Sequence, residues 1–129
     1  MQNLRFSKDL SSKQAIADVT VGLFQFEEDG NTIIYSPAFD LSGYGKNVKE
    51  AYSSFEETLG EFLAYTIKKK TLVKELNRLG WKLKESDFKR KKIKVPELAA
   101  LISKNDYLAE ILNEKEFKKF DQKIPVPAF

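Results

Sequence analysis

The chain has no cysteine and no histidine, a single tryptophan and a single methionine, four prolines and six glycines in 129 residues. Without cysteine there is no disulfide scaffold, no thiol nucleophile and no thiolate metal site. Without histidine there is no imidazole ligand and no imidazole acid–base pair. No run of 18 apolar residues occurs, and the first 15 residues lack the apolar centre of a secretory signal. These absences predict a cytoplasmic protein with no cofactor and no membrane partner. Carboxylate chemistry with a hard cation stays open, as does binding without chemistry.

What is present is one domain's worth of chain, 42% apolar, enough to bury roughly two thirds of its unfolded surface in one core. The formal charge of +3 hides a division near Ile67. Residues 1–67 hold 5 basic and 10 acidic side chains, whereas residues 68–129 hold 17 and 9. An acidic first half and a basic second half point to an acidic partner on the basic side, or to mutual neutralisation on docking.

Hydrophobic spacing organises the chain from Ile16 onward. Val19, Val21 and Leu23 alternate with Thr20, Gly22, Phe24 and Phe26, the pattern of a strand covered on both faces. Asp29-Gly30 supplies positive-φ hairpin chemistry, and Thr32–Tyr35 is a second strand closed by Ser36-Pro37. A short third strand or loop over Phe39–Gly45 precedes the best-marked helix. There Asn47 and Glu50 form a capping box, and Ala51, Phe55, Leu59, Phe62 and Leu63 share one stripe. Thr71 is placed to cap a second helix stopped by Gly80, after which Trp81–Lys84 alternates like a strand. Pro96 opens a helix through Leu98, Leu101 and Ile102. After Asn105-Asp106, a helical period runs from Tyr107 to Phe120, and Ile124-Pro125-Val126-Pro127 is an extended tail. Strands followed by helices predict an α+β fold. The expected organisation is a β-β-β-α scaffold over 1–70 and a helical, basic extension with an extended tail over 71–129, packed as one globular unit.

The segment Gly22–Gly30, then Ile33-Ile34-Tyr35-Ser36-Pro37, Leu41-Ser42-Gly43, Gly45 and Lys49-Glu50-Ala51, resembles the HicB-like antitoxin family. The shared marks are an acidic Asp-Gly hairpin, a proline after the second strand, a Leu-x-Gly step, a second glycine and a helix opening with Glu-Ala. The resemblance covers residues 19 to about 67. It implies a β-β-β-α-β unit, a cut-down relative of the RNase H arrangement, that pairs with a HicA-like toxin, blocks its mRNA-cleaving surface and forms homo-oligomers. An active toxin of that kind relies on histidine, which this chain lacks.

Three further features are candidates for function. Lys89, Arg90, Lys91, Lys92 and Lys94 form a cationic run suited to phosphate contact with DNA or RNA, and Lys92–Pro96 before a helix has the order of a ribbon-helix-helix module. A solvated loop is the plainer reading of the same run. Asp18, Asp29, Asp40 and Glu50 are the acids an RNase H-type metal site would need. Turn and cap roles account for Asp29, Asp40 and Glu50, so no catalytic residue and no metal ligand is assigned. In the tail, Ile124, Val126 and Phe129 would be wasted in water, and are assigned to packing on the chain's own sheet, on a partner or in self-association. The expected function is that of a non-enzymatic HicB-like antitoxin or regulatory binding protein. The alternative is a stand-alone self-associating domain on the same scaffold, with neither toxin nor nucleic acid as partner.

Overall fold

The computed structural model describes residues 16–84, 86–87 and 93–127. The strands are β1 (Ile16–Glu28), β2 (Asn31–Ser36), β3 (Leu41–Gly45) and β4 (Phe117–Pro127). The helices named here are α1 (Val48–Lys68), α2 (Leu72–Arg78), α3 (Leu98–Ile102) and α4 (Asp106–Glu114). The strands form one antiparallel sheet in the order β3-β2-β1-β4. The architecture is α+β with helices on both faces of the sheet.

Alternation along β1 sends consecutive side chains to opposite faces. Val19, Val21 and Leu23 join Ile34, Ile124 and Val126 beneath Ala51, Phe55, Leu59 and Leu63 of α1, with Leu72 and Leu76 of α2 and with Trp81. Phe24 and Phe26 join Ile33 and Tyr35 on the other face, beneath Leu108 and Ile111 of α4. Two cores on one sheet explain why β1 carries apolar residues at successive positions.

Local chemistry sets the connections. Asp29 and Gly30 both have positive φ, 52° and 80°, which makes a two-residue type I′ hairpin with Glu28 opposite Asn31. Asn47 caps α1 by accepting the Glu50 N–H at 2.9 Å, and Glu50 returns to accept the Lys46 N–H at 2.9 Å. Gly43 faces α1 at the point of closest approach, where a Cβ would lie 2.6 Å from the Phe55 Cα. Thr71 makes no capping bond, so α2 starts without the expected side-chain cap.

The second half departs from the sequence reading in two further places. Trp81–Lys84 forms no strand pair among the described residues. Asn77 holds it through both side-chain atoms, the amide donating to the Leu83 carbonyl at 3.0 Å and Oδ1 accepting the Leu83 N–H at 2.8 Å. The helical period expected through Phe120 stops at Glu114, and β4 begins at Phe117. Phe117 and Phe120 are three apart, a spacing shared by a helix stripe and by opposite faces of a strand. Eleven cross-strand pairs with β1, from Ile16↔Pro127 to Phe26↔Phe117, resolve the ambiguity. The fourth strand therefore comes from the C-terminal tail, and α2, α3 and α4 lie between α1 and that strand.

Candidate functional site

Ile124 and Val126 are fully buried in their own chain's core on β4. This corrects their assignment to a partner or to self-association: of the docking modes expected for the tail, they adopt the one on the chain's own sheet. Phe129 lies outside the described residues, as do Lys89, Arg90, Lys91 and Lys92. Lys94 is described and exposed. It sits on a connecting segment between Ile93 and Val95, both of which pack against the core under α1.

That segment leads to two clefts that share Pro37, Pro96 and Leu101 as a dividing wall. The larger, of about 490 Å³, lies between the end of α2 and the α3–α4 junction; Arg78, Lys82 and Lys104 bring positive charge to it and Asp40 and Asp106 negative charge. The smaller, of about 240 Å³, opens onto a half of the sheet that the helices leave bare, with Thr20 and Gly22 as floor and Lys119 at the rim. The Lys119 side chain lies across Gly22, where a Cβ would meet its Cε at 3.2 Å. Arg78 is paired with Glu75 at 2.9 Å and Lys119 with Asp121 at 3.0 Å. Lys82 and Lys104 are exposed cations lining the larger cleft, and Lys94 is exposed on the segment that leads to Pro96. Spacing in the sequence marked Lys94 and not Lys82 or Lys104, which come to one cleft only through tertiary folding.

The buried side of the larger cleft is a polar chain. Tyr35 donates its hydroxyl to Asp40 Oδ1 at 2.7 Å and accepts the Asn105 amide at 2.7 Å. Asn105 also caps α4 by accepting the Leu108 N–H at 2.9 Å. Burial raises the Tyr35 pKa above its ordinary value, the Asn105 donor offsets part of that rise, and Asp40 adds to it. The Tyr107 ring packs edge-on against Tyr35, 4.9 Å between centroids, and its own pKa is pushed up to about 12, chiefly by burial. A tyrosine kept protonated in this way is a hydrogen-bond donor and a structural tie.

The four carboxylates do not converge. Asp18 is exposed on β1 and Asp29 is in the hairpin; Asp40 has φ 54° and binds Tyr35, and Glu50 caps α1. Among the described residues no three acidic side chains group in a way that holds a metal ion, and no helix is long and apolar enough to cross a membrane. The arrangement offers mixed-charge clefts beside exposed cations, suited to holding a charged chain by its surface. No family model, curated protein or solved structure matches the chain.

Proposed function

We propose that the chain is a non-enzymatic, HicB-like binding protein that neutralises a HicA-like, mRNA-cleaving toxin, with the cations around the Pro37–Pro96–Leu101 wall contacting phosphates. The observation that carries the reading is the way the sequence marks come together. The Asp29-Gly30 hairpin, the proline after β2, Gly43 and Gly45 beneath α1, and the Asn47–Glu50 box all lie in one continuous β-β-β-α unit. Each mark has a local physical reason, and Gly43 and Gly45 let α1 approach the sheet closely. Lys82, Lys94 and Lys104 supply cations on the exposed surface beside that unit.

The experiment is neutralisation. A HicA-like reading frame beside the gene, expressed alone, is expected to arrest growth. Co-expression of this chain restores growth, and the two proteins co-purify. Failure of the chain to relieve the arrest, or the lack of any such neighbour together with the lack of a co-purifying small protein, rejects the reading.

The alternative, a self-associating domain without toxin or nucleic acid, is separated by salt. Phosphate binding loses affinity along a straight log–log line as salt rises, whereas a chain whose halves only pair with each other binds no nucleic acid even at low salt.

A further inference from the structure

The hydrogen-bonding direction of every strand follows from one turn. In a two-residue hairpin the flanking residues exchange both backbone bonds, so Glu28 and Asn31 face each other as a bonded pair. Even-numbered residues of β1 then bond to β2, and odd-numbered ones turn to β4. In the register Val19↔Ile124, Val21↔Gln122, the even residues of β4 bond back to β1. The backbone groups of Phe117, Lys119, Asp121 and Lys123 therefore point away from the sheet. Pro125 and Pro127 fall in the same outward set, where proline removes no ladder bond.

The other edge of the sheet follows the same alternation and is partly closed by α1. The same alternation turns Ser42 and Tyr44 of β3 outward, and the Tyr44 N–H is taken by the Ser54 hydroxyl of α1 at 3.1 Å. Among the described residues no helix covers the outer edge of β4: α1 lies mainly over β3 and β2 and reaches β4 through Tyr52, and α4 covers Phe24, Phe26, Ile33 and Tyr35.

We propose that β4 pairs with β4 of a second copy of this chain, antiparallel about a twofold axis at Phe120, joining the two sheets into one. Charge selects that register. Lysines on an edge strand usually repel a neighbour, and a register shifted by one bonded step either way sets Lys119 against its own copy or against the partner's Lys123. With the axis at Phe120, Lys119 faces the partner's Asp121 and Asp121 faces the partner's Lys119. Phe117 faces the partner's Lys123, whose stem covers an exposed ring. A further step, with the axis at Gln122, also pairs Asp121 with lysine but sets Lys119 against the partner's Pro125, which has no N–H to give. Phe120 meets its own copy at a non-bonded position, where side chains come closest, on the face where it already stacks on Tyr52 at 5.7 Å. The pairing rests on the backbone and charges of β4, so it holds under either reading of function.

Sedimentation equilibrium of the full chain, at low salt, tests it with a charge swap. The wild type is expected to show a monomer–dimer equilibrium. Lys119→Asp and Asp121→Lys each set like charges opposite one another twice, and each weakens the dimer about tenfold. An equimolar mixture of the two variants restores opposite charges at both positions and recovers wild-type affinity as a heterodimer. Lys123→Pro extends the outward proline pattern, leaves the β1 ladder intact and also weakens the dimer, while circular dichroism checks that each variant is folded. A wild type that remains monomeric at high concentration overturns the proposal. So does a dimer indifferent to both charge variants, or one that mixing fails to restore.

Discussion

Asn105 donates its side-chain amide to the Tyr35 hydroxyl at 2.7 Å across 70 residues of sequence, while its Oδ1 accepts the Leu108 N–H at 2.9 Å. One side chain thus starts α4 and fastens it to the centre of the sheet. Asn105→Ala is expected to destabilise the fold by about 2 kcal/mol, the sum of a lost helix cap and a buried hydroxyl left with one partner fewer. Tyr35→Phe costs about 1 kcal/mol. The double variant should cost less than the sum, because both changes remove the same bond. Urea denaturation of the four proteins in the cycle gives the coupling, and strict additivity would show that the bond contributes nothing.

Burial of tyrosines sets an alkaline limit to stability. Tyr52 and Tyr107 have pKa values pushed up to about 12, chiefly by burial, and Tyr35 is raised for the same leading reason. The folded state therefore holds protons that the unfolded chain gives up near pH 10. This contribution is fully present below about pH 10 and is lost as pH rises towards the folded values. Tyrosinate absorbance should show Tyr35, Tyr52 and Tyr107 ionising late in the folded protein and together with unfolding. Ordinary titration of these three would contradict this.

Two glycine substitutions separate close packing from backbone strain. Gly43→Ala drives a methyl into the α1 backbone at Phe55 and Ala51, and about 3 kcal/mol of destabilisation is expected. Gly30→Ala meets nothing within 4 Å but must hold φ at +80°, a cost of about 1 kcal/mol. Denaturant midpoints are expected in that order, and a larger loss at Gly30 would reverse the account of the α1–β3 contact.

The single tryptophan reports on the crossing between the two faces. Trp81 is buried against Phe39, with ring centroids 5.3 Å apart, and donates Nε1–H to the Ala38 carbonyl at 2.8 Å. Its emission should be blue-shifted in the native protein and move red in a single transition with loss of ellipticity. Trp81→Phe is expected to cost about 2 kcal/mol through the unsatisfied carbonyl and the smaller ring.

Much of the first half was legible because its signals are local. Asp29-Gly30, Asn47 with Glu50, and the stripe from Ala51 to Leu63 each act within a few residues, and each forms the element that its chemistry demands. The first part of β4, from Phe117 to Lys123, was hidden because its cause is distant. Lys118, Lys119, Asp121 and Lys123 suit a solvent-facing edge, and only the pairing with β1 shows that Gln122, Ile124 and Val126 point into the core. Trp81 and Leu83 misled for a related reason: their alternation reflects burial, and Asn77 supplies the hydrogen bonds that a neighbouring strand would have given. Among candidate site residues, Lys94 was marked by its charged neighbours in sequence, whereas Lys82 and Lys104 reach one cleft from separate segments.

Salt dependence tests the cationic surface. With single-stranded RNA as probe, the slope of log affinity against log salt should fall in magnitude by about 1 for each of Lys82→Ala and Lys104→Ala. An unchanged slope would remove both residues from the interface.

The most direct test of the central claim is growth rescue of cells expressing a HicA-like toxin. Co-expression of the wild-type chain is predicted to restore growth and protect cellular mRNA from cleavage, with the two proteins recovered as one complex. Continued arrest and continued cleavage, with the chain folded and present in excess, would contradict the account.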